Sequence, residues 1–263
     1  MRWRPDRVDL PGLPGCDRPV VDVAGLRRVS AAAAIAVTAI QAATGALALR
    51  DGRRRWGLAG GLTVWAARLS HQMLSRIRDH DQEDPRYTEF LDGDGTGAVL
   101  AKVFVTQGLS QLIVSAPVQL AAVSRLPGGP RRWLAPAGLT LLGAGALIEA
   151  LADRQKSRYS QLDDDEKPGV LDTGLWGWSR HPNYFGDSLV WDGAWLAAAA
   201  SPPGALAVPA PMLMSYLLMF ATGAKRTEAR MEDRPGYRDY QDRVAFFFPW
   251  PISSPTPELG RNA

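Results

Sequence analysis

Four long runs without a charged residue constrain this 263-residue chain more than any other feature. They cover residues 29–49, 103–124, 133–148 and 193–224. Runs of this length match the roughly 30 Å hydrocarbon core of a bilayer, and a soluble protein of this size rarely carries four of them. The mean hydropathy of −0.13 is ordinary only because the charged residues are concentrated between the runs. The pattern predicts an all-α, polytopic integral membrane protein.

Two further features bring the predicted number of transmembrane helices to about six. A weaker span covers residues 56–75, where Arg68 and His71 interrupt the apolar sequence. The run at 193–224 is too long for one crossing and contains the sequence SPP. Because proline interrupts a helix, we expect a helical hairpin there, with arms at roughly 185–200 and 206–224.

The placement of Lys and Arg predicts the orientation. Segments on one side of the predicted spans hold 6, 3, 5 and 7 basic residues, whereas the two loops on the other side hold four and three. Since basic loops stay in the cytoplasm, we expect a multi-pass protein of the inner (cell) membrane with both termini cytoplasmic. The chain then divides into a cytoplasmic segment at 1–28, a transmembrane domain at 29–251 and a flexible tail at 252–263. The pI of about 9.2 reflects loops that face anionic membrane lipids, and no nucleic-acid partner is expected.

Several kinds of chemistry lack the residues that they need. Cys16 is the single cysteine, which excludes an intrachain disulfide and a CxxC metal site. The three histidines, His71, His80 and His181, do not have metal-ligand spacing, so no metal site is expected. The sequence GDGTG at 93–97 lacks the lysine of a P-loop and is interpreted as a loop.

The segment SRHPNYFGD, residues 179–187, places polar side chains directly before an apolar run. Pro182 favours a turn, and the residues after it are typical of a helix N-terminus, which attracts anions. Arg180 adds a planar donor suited to phosphate or carboxylate, and Tyr184 a ring that can stack on a ligand. The alternative is a membrane-interface belt, in which Arg, His and Tyr reach the headgroups, although Asn183 and Pro182 are not typical of such a belt.

Polar residues inside the predicted spans are further candidates. Glu149 and Asp153 are four residues apart and share a helix face. Glu149 lies near membrane depth, where an acidic residue is a functional candidate. Arg68 and His71 lie on one face of the weak span, and polar groups in a span usually face a cavity. The glycines near 138–145 predict close helix packing in the bilayer.

The tail at 224–251 allows two interpretations, which are compatible with each other. Tyr237 and Tyr240 are interleaved with arginines, and three phenylalanines and a tryptophan follow at 246–250. The tail could be an amphipathic helix on the membrane surface with those aromatic residues as its anchor. It could equally be the lid of a cofactor site.

These motifs together resemble a known superfamily. EDPRY (83–87), IEALADRQ (148–155), RHPNYFG (180–186) and RPGYRDYQ (234–241) are similar to bacterial membrane proteins of unassigned function that are grouped with the steroid 5-alpha-reductases. The resemblance covers about residues 65–251. Isoprenylcysteine carboxyl methyltransferases carry a similar RHPxY segment, so the resemblance is specific for the superfamily and not for one reaction.

The reductase resemblance implies an all-helical enzyme that binds NADPH from the cytosolic face and reduces a carbon–carbon double bond conjugated to a carbonyl in a steroid-like or isoprenoid lipid. It implies that ten residues line and close the cofactor pocket: Asp153, Arg180, His181, Asn183, Tyr184, Asp187, Glu228, Arg234, Tyr237 and Tyr240. The acid that the reductases contribute from an early helix has no clear match here. Asp22, Gln41, His71 and Tyr87 are the candidates, and His71 and Tyr87 are the catalytic residues that we select.

Two other classes of function remain as alternatives. The first is a methyltransferase that uses S-adenosylmethionine on a membrane-bound or lipophilic acceptor. The basic residues Lys156, Arg180, Arg234 and Arg238 around the predicted pocket favour NADPH, because its diphosphate needs several donors. The second alternative is a non-catalytic membrane scaffold or lipid-binding protein. For an enzyme, the expected partners are membrane lipids and a lipophilic substrate that enters from the bilayer.

Overall fold

The computed structural model describes residues 52–79, 105–163, 167–221 and 223–250. Within these ranges the chain is helical and contains no strand, in agreement with the all-α prediction. Several predicted features lie outside the described residues: the first span at 29–49, the candidates Asp22, Gln41 and Tyr87, and the tail from 251.

The described helices include the apolar runs from residue 103 onward and also charged segments. They are α1 Gly52–Asp79, α2 Thr106–Val123, α3 Leu134–Ser160, α4 Pro182–Ala198, α5 Pro202–Ala205, α6 Pro209–Tyr216, α7 Ala224–Met231 and α8 Tyr237–Arg243. A π-helical turn, Leu217–Ala221, extends α6. The predicted break at SPP is confirmed, because Ser201 is extended and Pro202 occupies the first position of the next helix, where its missing N–H costs nothing.

Four glycines set the close contact between α3 and α4. Gly138 and Gly145 on α3, and Gly186 and Gly193 on α4, are seven residues apart on each helix and therefore lie on one face. A Cβ atom at Gly145 would lie 2.6 Å from the carbonyl oxygen of Gly186. Larger residues would force the two backbones apart, so glycine is required at this contact. The predicted close helix packing is confirmed.

The contacts between helices also fix their directions. α1 runs parallel to α3, because Gly57 near its start packs on Leu139 and Arg68 further along reaches Asp153. α4 runs antiparallel to α3, since its last glycine packs beside the first glycine of α3. The start of α4 therefore lies beside the end of α3, so the IEALADRQ and RHPNYFG motifs meet at this end of the helices.

Basic side chains bond to helix carbonyls at the opposite end. Arg54 Nη2 donates to the carbonyl oxygens of Ala121 and Ser124, at 2.9 and 2.8 Å, where α2 ends. Arg131 Nε donates to the carbonyl oxygen of Ala199 at 3.0 Å, where α4 ends. The last carbonyls of a helix have no partner within it, and a cation there opposes the negative end of the helix dipole. These arginines therefore cap the helices.

Apolar side chains are abundant on the described surface. Val64 is 72% exposed, Leu112 58% and Leu147 60%. The acidic Glu149, by contrast, is only 3% exposed. Among the described residues, two helical stretches, Pro130–Ser160 and Pro202–Met231, are long and apolar enough to cross a membrane, judged by length and composition.

Candidate functional site

Arg68 joins α1 to two carboxylates on α3. Its Nη2 atom lies 2.6 Å from Glu149 Oε1, and its Nη1 atom lies 3.2 Å from Asp153 Oδ2. Both acids are buried, and the shared face that their spacing predicted is confirmed. A buried carboxylate without a partner is strongly destabilising, so Arg68 permits both acids to lie in the helix interface.

Trp65 and Asp187 complete this group. Trp65 Nε1 donates a hydrogen bond to Glu149 Oε2 at 2.6 Å. Asp187, on α4, is 8% exposed, and its Oδ1 atom accepts no hydrogen bond from the described residues. Trp191 Nε1 lies toward the Asp187 carboxyl but outside hydrogen-bonding geometry. We use the name carboxylate cluster for Trp65, Arg68, Glu149, Asp153 and Asp187.

Asn183 connects the carboxylate cluster to the start of α4. Its Nδ2 atom donates to Asp153 Oδ1 at 3.4 Å. His181 is the N-cap residue of α4 and Pro182 its first residue, so the RHPN segment forms the helix N-terminus that the sequence predicted. The side chains of this segment thus reach the carboxylate cluster on one side and the tail of the chain on the other.

The second polar group, the tail cluster, consists of Arg180, His181, Glu228 and Gln241. Glu228 Oε1 lies 2.8 Å from Arg180 Nε and 3.2 Å from His181 Nε2. Glu228 Oε2 accepts from Gln241 Nε2 at 3.3 Å and from Arg180 Nη2 at 3.5 Å. Arg180 Nη1 donates to the carbonyl oxygen of Gln241 at 2.7 Å. These bonds tie the start of α4 to α7 and α8.

Backbone hydrogen bonds hold the segment after α8 against the segment before α4. The N–H of Arg180 donates to the carbonyl oxygen of Ala245 at 2.9 Å. Ser179 Oγ donates to the carbonyl oxygen of Phe247 at 2.7 Å. The RHPN segment is therefore positioned by the tail through both backbone and side-chain contacts.

The tail differs from a single surface helix. It forms two short helices, α7 and α8, separated by a turn in which Gly236 has a φ of 77°, a left-handed conformation that glycine adopts without strain. The aromatic anchor is also only partly on the surface. Phe248 and Trp250 are exposed, as an anchor requires, but Phe247 is buried. The tail therefore packs on the segment before α4, and both interpretations, an anchor at the membrane surface and a lid of a cofactor site, stay predictions.

Aromatic rings surround the tail cluster. The ring of His181 stacks on that of Tyr184, with centroids 5.7 Å apart and planes at 10°. Phe246 meets the His181 ring edge-on at 5.6 Å, and the Arg180 guanidinium lies 5.5 Å from the Phe246 centroid. These contacts restrict the orientations of His181 and Arg180.

Burial lowers the pKa of His181, and repulsion from Arg180 and Lys156 lowers it further, against the attraction of Glu228. The imidazole is therefore neutral at neutral pH. Arg180 and Lys156 are the two basic side chains that contribute this repulsion. Lys156 Nζ lies 5.8 Å from the ring of Trp176, the residue whose carbonyl accepts a hydrogen bond from Tyr240.

The two tail tyrosines are buried and protonated. Burial and the charge of Glu228 raise the pKa of Tyr237 to about 12. Burial, followed by the proximity of Tyr237, also raises the pKa of Tyr240, whose hydroxyl donates to the carbonyl oxygen of Trp176 at 2.7 Å. Both hydroxyls are hydrogen-bond donors at physiological pH, and Tyr240 uses its proton to anchor α8.

The structure places most of the predicted site residues at one end of the helices. Two of the predicted cofactor residues, Asp153 and Asp187, belong to the carboxylate cluster, and Arg180, His181 and Glu228 belong to the tail cluster. Four more lie beside them: Asn183, Tyr184, Tyr237 and Tyr240. Arg234 is exposed at the turn between α7 and α8.

Neither catalytic candidate joins the two clusters in the described structure. His71 is exposed, whereas Arg68 Nη1 donates to Gln72 Oε1 at 3.1 Å on the cluster side of α1. Tyr87 lies outside the described residues. Within the part of the chain that the structure describes, no group of three or more His, Cys, Asp or Glu side chains is arranged to hold a metal ion.

Two residues of the clusters were not singled out from the sequence. Trp65 precedes Arg68 by three residues and shares its helix face, a spacing that could have identified it as a donor for Glu149. Gln241 ends the RPGYRDYQ motif, in which the tyrosines and arginines are the stronger candidates by residue type. Its side-chain amide and its carbonyl group both prove to be part of the tail cluster.

The geometry is that of an all-helical protein with polar clusters buried between helices that are apolar outside. Within that class, the chain belongs to the family described as "Protein of unknown function (DUF1295)", whose model matches residues 18–244. The family is associated with steroid 5-alpha-reductase-like proteins, in agreement with the resemblance found in the motifs.

One curated relative is the Schizosaccharomyces pombe protein named "Uncharacterized protein C594.04c". It is 28% identical over 167 residues, which cover 56% of this chain and 48% of the relative. The chain thus spans about half the length of this relative. No solved structure matches the chain.

Proposed function

We propose that this protein is a membrane-embedded oxidoreductase that uses NADPH to reduce a carbon–carbon double bond conjugated to a carbonyl in a steroid-like or isoprenoid lipid. The observation that carries the proposal is the junction at the start of α4. There Asn183 contacts Asp153 of the carboxylate cluster, while Arg180 and His181 belong to the tail cluster and contact its Glu228. This short segment therefore contains side chains that can bind the amide group of the cofactor and side chains that can bind its phosphate groups.

The residues present fit a dinucleotide. Arg180 lies at the start of α4, and Lys156 lies over the ring of Trp176, whose carbonyl accepts a hydrogen bond from Tyr240; basic groups of this kind suit a diphosphate. Asp187 Oδ1 is buried without a hydrogen bond from the described residues, and the N–H of a carboxamide is the kind of donor that it lacks. NADPH, when bound, supplies a hydride. The residues of the chain bind it, orient it and exclude water.

The reduction also needs a proton donor beside the substrate carbonyl, which becomes negative as hydride reaches the β carbon. Tyr87 and His71 are our candidates for this role. His71 lies on α1, about one turn beyond Arg68, and is exposed. An exposed position on an apolar helix suits contact with a substrate that arrives from the bilayer.

We further infer six transmembrane helices in the inner membrane, with both termini cytoplasmic. The exposed apolar side chains and the two stretches of sufficient length support insertion in a membrane. The excess of basic residues in the motif-bearing loops supports a cytoplasmic position for the site. Such a site is open to a soluble cofactor and close to a lipid substrate.

The alternative proposal is an S-adenosylmethionine-dependent methyltransferase with a membrane-bound or lipophilic acceptor. The pairing of Arg180 with Glu228, 2.8 Å apart, is the observation that favours it. An acid and an arginine side by side match the ammonium and carboxylate of an amino acid group. The count of basic groups near His181 favours NADPH.

Separate titrations of NADPH and S-adenosylmethionine into the detergent-purified protein distinguish these proposals. We expect micromolar binding of NADPH that Arg180→Ala and Asn183→Ala both weaken. The matched control is Arg243→Ala, which removes an arginine from an exposed ion pair with Asp172 (3.2 Å) and should leave binding unchanged. Binding of S-adenosylmethionine alone would establish the alternative, and binding of neither would leave the scaffold or lipid-binding class.

A further inference from the structure

We propose that Arg180, His181 and Gln241 form a binding site for a phosphate or carboxylate anion, and that Glu228 occupies this site while no ligand is bound. The inference deepens the proposed function and rests on it for one point, the assignment of the anion to the diphosphate of a nucleotide cofactor. The site itself is defined by the tail cluster and can be tested without any cofactor.

Glu228 is held as a bound anion would be held. Both of its carboxylate oxygens have two nitrogen neighbours, and the four distances lie between 2.8 and 3.5 Å. Arg180 turns its Nε–Nη2 edge toward Glu228, with Nη2 donating a hydrogen bond to Oε2 at 3.5 Å and Nε lying 2.8 Å from Oε1 in an ion pair outside hydrogen-bond geometry. A phosphate group offers acceptor oxygens of the same kind, so it can use the same donors.

The donors and the acceptor come from different parts of the chain. Arg180 and His181 precede α4, and Gln241 lies on α8, which is packed through Tyr240 against Trp176. Glu228 alone comes from α7. The three donors are therefore held in place by contacts that do not involve Glu228. They stay together if Glu228 leaves, which would not be so if the ion pair itself held the donors in position.

The charge around the site favours an anion larger than one carboxylate. Two cationic side chains, Arg180 and Lys156, act on His181, and Glu228 is the acid that acts on it among the described residues. A diphosphate carries more negative charge than the single carboxylate of Glu228 and offers more acceptor oxygens to the same donors, which gives a ligand the means to displace Glu228.

The expected consequence is competition between the ligand and Glu228. The apparent affinity of such a site is reduced by the fraction of molecules in which the internal anion occupies it. Entry of a ligand also breaks the contacts of Glu228 with Arg180 and His181, so α7 is released from the start of α4. Ligand binding and the position of α7 are therefore coupled.

The test is a calorimetric titration of inorganic pyrophosphate into the full-length protein in a neutral detergent. Glu228→Gln removes the competing charge but keeps the size of the side chain. We expect it to bind pyrophosphate about tenfold more tightly, the factor that corresponds to about 1.4 kcal/mol. Glu232→Gln is the matched control, because this exposed acid near the end of α7 pairs only with exposed Arg238 at 3.6 Å among the described contacts. Its affinity should equal that of the unaltered protein.

A second measurement separates a gain of affinity from a folding effect. Glu228→Gln should melt at a lower temperature than the unaltered protein, and pyrophosphate should restore the loss. The double variant with Arg180→Ala should lose the gain in affinity. Unchanged or weaker binding of pyrophosphate by Glu228→Gln would overturn the proposal, since a purely structural or cofactor-contacting acid predicts that result.

Two more titrations identify the source of the anion. In the first, phosphatidylglycerol in mixed micelles replaces pyrophosphate. If Glu228→Gln bound only this lipid more tightly than the unaltered protein does, the ligand would be a lipid headgroup and not a soluble diphosphate. NADPH is used in the other. A gain with pyrophosphate together with no binding of NADPH would leave the anion site standing and refute the reductase proposal.

Discussion

One guanidinium on α1 compensates two buried acids on α3. Arg68 contacts Glu149 and Asp153, and removal of one partner from a buried ion pair leaves an uncompensated charge. We predict that Arg68→Ala destabilises the protein by about 3–5 kcal/mol, measured by chemical unfolding in detergent. Arg53→Ala, an exposed position on the same helix, is the control and should cost less than about 1 kcal/mol. Equal losses for the two variants would contradict a compensating role for Arg68.

His181 makes the stability of the protein depend on pH. Because burial holds its folded-state pKa below the ordinary value near 6.5, the unfolded chain binds the proton more readily. Stability is therefore complete above about pH 6.5 and falls as the pH drops below it, by up to about 1.4 kcal/mol per pH unit. Melting curves between pH 5 and about pH 8 should show this loss. His181→Gln should flatten the profile, and His71→Gln, at an exposed histidine, should leave it unaltered; a flat profile in the unaltered protein would refute the prediction.

At the residue scale, the sequence predicts polar groups better than it predicts their partners. The spacing of Glu149 and Asp153 follows from helix periodicity alone, so their common face was predictable. The partner of Arg180 was not, because Glu228 lies 48 residues further along the chain and no local pattern relates the two. The exposure of His71 could not be predicted either, since one histidine among polar and apolar neighbours does not show whether that side of the helix faces the interior or the surface.

Glycine spacing defines the central pair of helices, α3 and α4. At Gly145 a Cβ atom would meet the Gly186 carbonyl at 2.6 Å, and that neighbour is backbone that cannot move alone. We predict that Gly145→Ala costs about 1–3 kcal/mol, as overpacking does, and weakens NADPH binding in the proposed enzyme because Asn183 moves away from Asp153. Gly143→Ala is the control on the same helix, since no atom lies within 4 Å of its Cβ position.

The control should differ in sign as well as in size. Replacement of an exposed helix glycine by alanine stabilises a helix by about 0.5–1 kcal/mol, so Gly143→Ala is expected to raise the melting temperature slightly. Gly145→Ala should lower it. If the two variants melted alike, the contact between α3 and α4 would not be as close as the geometry requires.

At the element scale, helices and breaks differed in how well they could be predicted. Charge-free runs located α2, the first half of α3, the end of α4 and α6, because length and hydrophobicity suffice to identify an apolar helix. The tail was harder, since its mixed composition is compatible with one amphipathic helix or with two short ones. Pro235-Gly236 is a strong turn signal, and the structure does turn there.

The whole molecule is polarised along its helices. At one end, the RHPN segment meets the carboxylate and tail clusters. At the other end, Arg54, Arg55 and Arg131 donate hydrogen bonds to helix carbonyls. Three of the seven basic residues in the two loops predicted to lie outside the cytoplasm are therefore engaged with the helices themselves. Their presence does not weaken the orientation that the other basic residues predict.

The proposed orientation can be tested with introduced cysteines, because Cys16 is the one natural cysteine and Cys16→Ser removes it. Gly128→Cys lies in the open loop before α3, and Ser160→Cys ends that helix at an exposed position. A membrane-impermeant maleimide should label Gly128→Cys in intact cells and Ser160→Cys only after lysis. The reverse result would invert the orientation and move the clusters away from cytosolic cofactor. Labelling of both positions in intact cells would show that α3 does not cross the membrane, because its two ends would then face the same side.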